Sequence, residues 1–422
     1  MQGGRGCKPG GACLGLRPLF PKADGFNMNS PETLNRLRHA ARMDEIEPFH
    51  VVSLVTRAQA MEAAGRSVVN LVVGEPDAPT AEPIAEAGIR AIRSGRVRYT
   101  GALGKARLRE AIADWYGARY GVRVPAGRVG VMPGSSGALL MTMGVLLSPG
   151  DEVLMADPGY PCNRHFVRAM EGRAVGVPVG PDTAYQLTAA LVRAHWGPRT
   201  RAVMLANPSN PTGTIVPFEE LQAIHAEVRA RGGTLIVDEI YHGLTYSGSD
   251  RTVLECADDA FVINSFSKYF GMTGWRLGWL VMPDAFVDDV EKLAQNLFIS
   301  ASYIAQEAAV AAFSPEAVAV HEQRREAFRA QRDFLLPRLR QIGFSIPVEP
   351  QGAFYLYANC ERFTADSYRF CLDALEQAGV AIAPGLDFGS HRAADHVRFS
   401  YPKPIEVLAE GVARLETWLK NR

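Results

Sequence analysis

The sequence predicts an α/β protein in which a mostly parallel sheet is packed between helices. Short apolar, β-branched runs alternate with longer amphipathic segments, which is the order that a parallel sheet covered by helices requires. The chain has 422 residues, of which 47% are hydrophobic, and this is enough for a large core and more than one domain. The clearest strand candidates are Val68–Val73, Ala202–Leu205, Leu235–Val237 and Phe261–Ile263.

Two helices can be placed with some precision. Leu221, Ile224 and Val228 follow each other at three- and four-residue spacing, and Gly232-Gly233 then ends the helix, so this segment completes a βαβ unit. The segment 316–341 is rich in Glu, Arg and Ala and predicts a long helix, with a kink or break at Pro337. We expect a second, smaller domain beyond it.

Composition excludes several classes of protein. Lysine plus arginine and aspartate plus glutamate each number 45, so no basic surface for nucleic acid is expected. The longest nearly apolar stretch, 138–147, is far shorter than the ~20 residues that span a bilayer. Six scattered cysteines without a CxxC pair predict a reducing, cytoplasmic environment, and nine dispersed histidines predict no metal site.

The first 27 residues differ in composition from the rest of the chain. They are Gly-rich and basic and contain no long apolar core, whereas Met28 opens a more ordinary stretch. We expect residues 1–27 to be a disordered leader or the result of a misassigned start, rather than a targeting peptide.

Chemistry-bearing side chains follow three successive strand candidates. Asn210 lies in a proline-rich turn after the first strand, Asp238 and Tyr241 follow the second, and Lys268 follows the third. Ligand sites in open α/β sheets form at the carboxyl ends of the strands. The sequence therefore predicts that an amide, a carboxylate, a phenol and an amine converge on one crevice.

These segments resemble the class I/II aminotransferases, the aspartate aminotransferase-like members of pyridoxal-phosphate fold type I. The resemblance extends over nearly the whole chain after residue 28, and its motifs are Gly74–Asp77, Asn210–Gly213, Asp238–Tyr241, Ser265–Lys268 with Arg276, and Arg398–Ser400. It implies an N-terminal arm that includes part of the small domain (28–78), a large cofactor-binding domain with a mostly parallel sheet (79–313) and a smaller C-terminal α/β domain (314–422).

The resemblance also implies a catalytic role for three residues. Lys268 would form a Schiff base with the aldehyde of pyridoxal 5′-phosphate and then move the proton between the substrate Cα and the cofactor. Asp238 would keep the pyridine nitrogen protonated, which makes the ring an electron sink. Tyr241 and Asn210 would donate hydrogen bonds to the phenolic oxygen of the ring.

Further residues are assigned to cofactor and substrate by the same resemblance. The cofactor phosphate would be held by Arg276, Ser265 and Ser267, and by the start of a helix at Gly134, Ser135 and Ser136. Tyr99 would reach the phosphate of a partner subunit, which implies a homodimer with shared sites, and Tyr160 would stack on the ring. The substrate would be bound by Gly74, Asn210, Phe354 and Arg398.

Alternative functions can be weighed against this interpretation. A β-elimination lyase of the C–S lyase type, a decarboxylase or a cyclopropane-forming synthase of the same fold would keep the lysine, aspartate and tyrosine. The effector domain of a transcription regulator would need a DNA-binding domain of about 70 residues ahead of Gly74, and too few residues precede it. A phosphate loop at 99–106 lacks its first glycine and the hydroxyl that holds magnesium.

The sequence gives a weaker indication of the substrate. Dicarboxylate-specific relatives carry a second basic residue over the side-chain pocket, in one subgroup a lysine that would fall at Ser136, and no arginine occurs in 296–306 either. We therefore expect a neutral or apolar amino donor, such as alanine or a branched or aromatic amino acid, with 2-oxoglutarate or pyruvate as acceptor.

Overall fold

The computed structural model describes residues 39–247 and 250–422. Residues 45–422 form one compact unit, and residues 39–44 belong to a separate N-terminal unit that contains a short 3-10 helix, Ala41–Asp44. The predicted leader, residues 1–27, lies outside the described residues. Within the described part of the chain, no helix has both the length and the apolar character needed to cross a membrane.

Helices and strands alternate along most of the chain. The α-helices are α1 His50–Ala63, α2 Glu82–Arg93, α3 Ala106–Tyr120, α4 Gly134–Leu146, α5 Pro161–Ala169, α6 Ala189–His195, α7 Phe218–Ala230, α8 Val287–Leu297, α9 Tyr303–Val310, α10 Pro315–Gln341, α11 Ser367–Asp373 and α12 Ile405–Lys420. The strands are β1 Val69–Asn70, β2 Val129–Met132, β3 Glu152–Asp157, β4 Arg173–Pro178, β5 Thr200–Ala206, β6 Thr234–Asp238, β7 Phe261–Ser265, β8 Gly278–Val281, β9 Tyr355–Asn359, β10 Val380–Ala381, β11 Ala383–Pro384 and β12 His396–Ser400.

The central element of the described chain is a seven-stranded, mostly parallel sheet in the order β2-β8-β7-β6-β5-β3-β4. Strand β8 pairs antiparallel with both of its neighbours, and the remaining pairs are parallel. The α/β class and the mostly parallel sheet predicted from the sequence are confirmed. Nearly every residue of β5, β6 and β7 is buried, which explains why these strands are continuous apolar runs rather than alternating ones.

The βαβ unit formed by β5, α7 and β6 follows the sequence pattern closely. Leu221, Ile224 and Val228 are the buried residues of α7. Gly232 has φ +69°, a left-handed conformation that glycine adopts without steric cost, and it turns the chain from α7 into β6. Strand β6 then pairs in parallel register with β5, with Ala206 opposite Asp238, so the ends of the two strands lie side by side.

The long helix α10 differs from its prediction in one respect. Helix α10 runs through Pro337 without interruption, so the predicted break there is wrong. A proline inside a helix costs about 3 kcal/mol, but burial of a single leucine side chain is worth about 1.5–3 kcal/mol. The neighbouring Leu335, Leu336 and Leu339 are all buried, and their packing offsets the cost.

Two small sheets lie outside the central one. Strands β11, β12 and β9 form an antiparallel sheet, and β1 pairs in parallel with β10. The run 68–73, predicted as a strand, has only two residues in β1, since its pairing is limited to Val380 and Ala381. The predicted boundary between residues 313 and 314 falls immediately before α10, and the domain limits themselves stay predictions.

Candidate active site

A cavity of about 520 Å³ opens at the carboxyl ends of β5, β6 and β7. These three strands are neighbours in the sheet, so the residues that follow them meet at one edge. The predicted site residues that line the cavity are Gly74, Ser135, Ser136, Tyr160, Asn210, Asp238, Tyr241, Ser267, Lys268, Arg276 and Arg398. The convergence expected from the strand order is therefore present.

Lys268 presents a primary amine that makes no ion pair with a carboxylate of the described chain. Its Nζ atom donates a hydrogen bond to the carbonyl oxygen of Gly74 over 2.7 Å. Burial lowers the pKa of the amine to about 8, with the nearby Glu75 opposing the shift and the charges of Arg398 and Arg276 adding to it. About a tenth of Lys268 is therefore the neutral, nucleophilic amine at pH 7, far more than for an exposed lysine.

Asp238 ends strand β6 and is almost fully buried. Its Oδ1 accepts a hydrogen bond from the backbone N–H of Ile240 at 3.1 Å. Burial raises the pKa of this carboxyl to about 7, although the Ile240 N–H and Lys268 act in the opposite direction. A carboxylate that is desolvated to this degree would be stabilised by a cationic partner inside the cavity.

Tyr241 is joined to a residue that the sequence analysis did not single out. The hydroxyl groups of Tyr241 and Tyr355 lie 2.7 Å apart, and burial raises both pKa values. Tyr355 lines the cavity, whereas the predicted Phe354 does not: its ring is fully buried against Tyr241 and Phe328. Both rings meet Tyr241 edge-on, but Tyr355 also lies against the guanidinium of Arg398 whereas Phe354 packs on Phe328, so Tyr355 takes the place in the cavity wall that was expected of Phe354.

Arg398 is a buried cation at the other end of the cavity. It donates from Nη1 to Asn210 Oδ1 over 2.9 Å and from Nη2 to the Val72 carbonyl over 2.7 Å, and its guanidinium lies over the rings of Tyr355 and Phe388. Its Nε has no hydrogen-bond partner, and no carboxylate pairs with Arg398, within the described residues. A buried arginine with neutral partners and a spare donor fits a ligand carboxylate.

The opposite end of the cavity is built for an anion. Helix α4 begins at Gly134, so Ser135 and Ser136 lie in the first turn, where backbone N–H groups lack helical acceptors. Gly134 has φ +72°, and a Cβ atom there would stand 2.6 Å from Nη2 of Arg276. The glycine thus allows the guanidinium to approach the helix terminus closely.

The two serines beside Lys268, Ser265 and Ser267, differ in their position relative to the cavity. Ser267 lines the cavity, whereas Ser265 lies beneath it, with its Oγ donating to Ser267 Oγ at 2.9 Å or to the Leu277 carbonyl at 3.1 Å. Ser265 therefore contacts the cavity only through Ser267. Tyr99 does not line the cavity; it is 81% exposed.

One wall of the cavity was missed by the sequence analysis. It is formed by Phe49, at the N-cap of α1, and by the α1 residues Val51, Val52, Val55, Thr56 and Gln59. The apolar spacing in this stretch is visible in the sequence, but nothing there indicates that the helix covers the sheet edge. Leu139 and Ile240 extend the apolar surface.

Together, this fold and this cavity define an α/β enzyme with an amine nucleophile between two anion-binding ends. The chain matches the family described as aminotransferase class I and II over residues 66–415. It therefore belongs to the class I and II aminotransferases, and its activity is that of a transaminase.

Individual relatives support this assignment. The chain is similar to a valine–pyruvate aminotransferase of Mycobacterium tuberculosis, with 40% identity over 379 residues, which cover 89% of this chain and 97% of the relative. It is 33% identical over 396 residues to an aspartate aminotransferase of Geobacillus stearothermophilus, covering 92% and 100% of the two chains. A crystal structure of an aminotransferase from M. tuberculosis matches with a TM-score of 0.88 and 40% identity, covering 92% of this chain and 100% of that one.

Proposed function

We propose that this aminotransferase uses pyridoxal 5′-phosphate, held in the cavity, to move an amino group from an apolar L-amino acid to a 2-oxo acid. The observation that carries the proposal is the pairing of a lysine amine with a pKa of about 8 and a desolvated carboxyl, Lys268 and Asp238, in one cavity with a cationic site at each end. Loading of purified protein with the cofactor, followed by borohydride reduction and peptide mapping, should place the cofactor on Lys268.

The residues present fit this cofactor. Arg276, Ser267 and the first turn of α4 supply the positive charge and N–H donors that a phosphate monoester needs. Asp238 supplies a buried acceptor whose charge a protonated ring nitrogen would stabilise. Tyr241, Asn210 and Tyr160 line the space between and would contact the ring, with the Tyr241 hydroxyl donating to its phenolic oxygen.

When bound, pyridoxal phosphate supplies an electron sink for the charge that develops at the substrate Cα. The protein moves the protons. Lys268 is the group that would take the proton from the substrate Cα as a neutral amine and hold it as an ammonium group until it is returned. A pKa of about 8 suits both directions, since each form of the amine is well populated near neutral pH.

The substrate carboxylate is assigned to Arg398. Its free Nε donor and its stacked, buried guanidinium provide a fixed charge, and Asn210 holds the group in place through the 2.9 Å hydrogen bond. Lys268 donates to the Gly74 carbonyl and Arg398 donates to the Val72 carbonyl, so the segment 72–74 holds both the reacting amine and the group that binds the carboxylate. This arrangement would orient the Cα–H bond toward Lys268.

An apolar donor is favoured by the cavity wall. The cationic residues that line the cavity in the described chain are Lys268, Arg276 and Arg398, and each has a role in catalysis or in binding phosphate or the α-carboxylate. None remains for a side-chain carboxylate, while α1 presents three valines. The name of the M. tuberculosis relative agrees with this choice, and that of the Geobacillus relative, an aspartate aminotransferase, does not. Pyruvate or 2-oxoglutarate is the proposed acceptor.

A homodimer with shared sites is also proposed. Large apolar side chains are exposed on two neighbouring segments, which a hydrogen bond from Thr100 N to Ser300 Oγ joins: Val97, Tyr99, Leu297 and Ile299 are 50%, 81%, 48% and 52% exposed. A patch of this kind suits a subunit interface. Tyr99 would then reach the phosphate end of the partner's cavity. Mixed dimers of Tyr99→Ala and Arg276→Ala subunits should recover one intact site.

A cytoplasmic location is proposed from the cysteines. Cys162, Cys256, Cys360 and Cys371, the cysteines of the described chain, are all free thiols. Free thiols are typical of a reducing compartment.

A further inference from the structure

A second cavity, of about 670 Å³, shares no lining residue with the active-site cavity. It lies between the segment that joins β4 to α6 and the segments around β9 and β12. Its volume is within the range of ordinary small-molecule sites. Neither the family assignment nor the proposed reaction gives this cavity a role.

The wall of the second cavity contains three aromatic side chains in contact. The rings of Tyr357 and His396 are stacked with their centroids 4.7 Å apart and an interplanar angle of 7°. Tyr185 meets both rings edge-on, at 5.9 and 6.4 Å. Ala184 and Tyr185 are consecutive non-glycine residues with positive φ, 50° and 57°, a strained arrangement that brings the Tyr185 ring into this wall.

These aromatic groups have hydrogen-bonding capacity that the protein does not use. The hydroxyl of Tyr357 is buried and has no partner in the described chain. Nδ1 of His396 lies 2.9 Å from the Arg392 carbonyl and must carry the proton, because a carbonyl only accepts. Nε2 is then left as an acceptor in the neutral ring. A buried hydroxyl without a partner is unfavourable, and a ligand that accepts a hydrogen bond from it would remove that cost.

Both acidic and basic side chains line the second cavity. Arg392 pairs with Glu361 and Asp395. Asp182 and Arg362 also line the cavity as exposed residues, and neither makes an ion pair or a side-chain hydrogen bond with another residue of the described chain. Four prolines, Val179 and Leu191 supply apolar surface, the prolines being Pro158, Pro178, Pro181 and Pro347. One free acid, one free base and an apolar wall match a zwitterion with an apolar side chain.

We propose that this cavity is a second binding site for a free apolar L-amino acid, separate from the catalytic site. The ammonium group binds Asp182 and Nε2 of His396, the carboxylate binds Arg362 and the hydroxyl of Tyr357, and the side chain packs on the prolines. The bound amino acid joins the β4–α6 segment to the segments around β9 and β12. The fraction of this second site that is occupied would follow the concentration of the amino acids on which the enzyme acts.

The test measures how many amino-acid molecules bind per chain in a variant that cannot convert the amino donor. The full-length Lys268→Ala variant, loaded with pyridoxal phosphate, is titrated with L-valine, L-leucine or L-phenylalanine in equilibrium dialysis. We expect two equivalents of at least one amino acid per chain. Adding Arg398→Leu should abolish one binding event and leave the other.

Three substitutions identify the second event. Asp182→Asn, Arg362→Gln and Tyr357→Phe should each weaken it about tenfold and leave the event that depends on Arg398 unchanged. Arg123→Gln, at an exposed arginine away from both cavities, is the matched control. If no event responds to these three variants, the second site is rejected. If the event that depends on Arg398 is missing while the second persists, the proposed catalytic site fails and this one stands.

Discussion

The Nζ atom of Lys268 lies 2.7 Å from the carbonyl oxygen of Gly74, which is 194 residues earlier in the chain. This hydrogen bond connects the segment after β7, which carries Lys268, to the segment that follows β1. Since the partner is a neutral carbonyl and the amine is buried, the pKa of Lys268 falls to about 8. The chemistry of the site depends on the neutral fraction of this amine, which the lowered pKa increases near neutral pH.

Cofactor loading should therefore depend on pH with a midpoint near 8. Only the neutral amine attacks the cofactor aldehyde, so the rate at which the cofactor-free protein takes up pyridoxal phosphate should rise through that pH. Stopped-flow absorbance at a series of pH values measures it. Glu75→Gln removes the charge that holds the Lys268 pKa up, and it should move the midpoint to lower pH. A midpoint near 10.5 in both proteins would show that the amine is not desolvated.

Asp238→Asn should stabilise the cofactor-free protein while it lowers turnover. The folded-state pKa of Asp238 is about 7 against an ordinary value of 3.8, so the folded state binds the proton more tightly than the unfolded state. Stability is therefore lost as pH rises from about 4 to 7, and the full penalty is present at pH 8. The variant should gain about 1–3 kcal/mol at pH 8, since one pKa unit corresponds to 1.36 kcal/mol. Turnover should fall at least about a hundredfold.

Urea denaturation of cofactor-free protein at pH 5 and pH 8 tests the stability claim. The gain should be clearly smaller at pH 5. Asp288→Asn, at an exposed aspartate of α8, is the control and should change stability little at either pH. Equal gains at the two pH values would mean that the pKa of Asp238 in the cofactor-free protein does not lie between pH 5 and pH 8.

Tyr355→Phe should reduce the rate and leave cofactor binding nearly intact. The substitution removes the hydroxyl that lies 2.7 Å from that of Tyr241 and keeps the ring that stacks on Arg398. We expect kcat to fall about tenfold, which is the effect of one hydrogen bond of about 1.4 kcal/mol. The pH at which the absorption of the bound cofactor changes should also shift. Tyr116→Phe, at a buried tyrosine bonded to Trp279, should change neither quantity.

A charge placed on the α1 wall should change the choice of donor. Val55→Lys puts a cation where the wall is apolar, so kcat/KM for L-valine should fall at least about tenfold, because a buried charge is costly and the apolar contact is lost. The ratio of kcat/KM for L-aspartate to that for L-valine should rise. Ala60→Lys adds the same charge on the exposed face of α1 and should leave both values unchanged. An unchanged ratio in Val55→Lys would place the substrate side chain elsewhere.

The sheet and most of the cavity could be predicted from the sequence because the signals lie within short segments of the chain. Asn210, Asp238 and Lys268 each follow an apolar strand directly, and parallel neighbours place such residues together. The contribution of Tyr355 could not be separated from that of Phe354, because both are aromatic and their different partners, Arg398 and Phe328, come from segments distant in sequence. The α1 wall depends on packing between segments far apart in sequence, which residue spacing does not report.

The continuous helix at Pro337 shows the limit of local rules in the other direction. A proline is a strong local signal, yet three buried leucines in the same turn outweigh it. The second cavity depends on long-range contacts as well. The stack of Tyr357 on His396 arises from the pairing of β9 with β12, and neither residue carries a recognisable motif.

The most direct test of the central claim is the half-reaction of purified, cofactor-loaded protein with L-valine and no acceptor. The proposed function predicts that the long-wavelength absorption band is lost, that one equivalent of the corresponding 2-oxo acid appears per active site, and that added pyruvate or 2-oxoglutarate restores the band. An unchanged spectrum with the whole panel of L-amino acids, or continuous release of pyruvate and ammonia from a β-substituted amino acid, would contradict it.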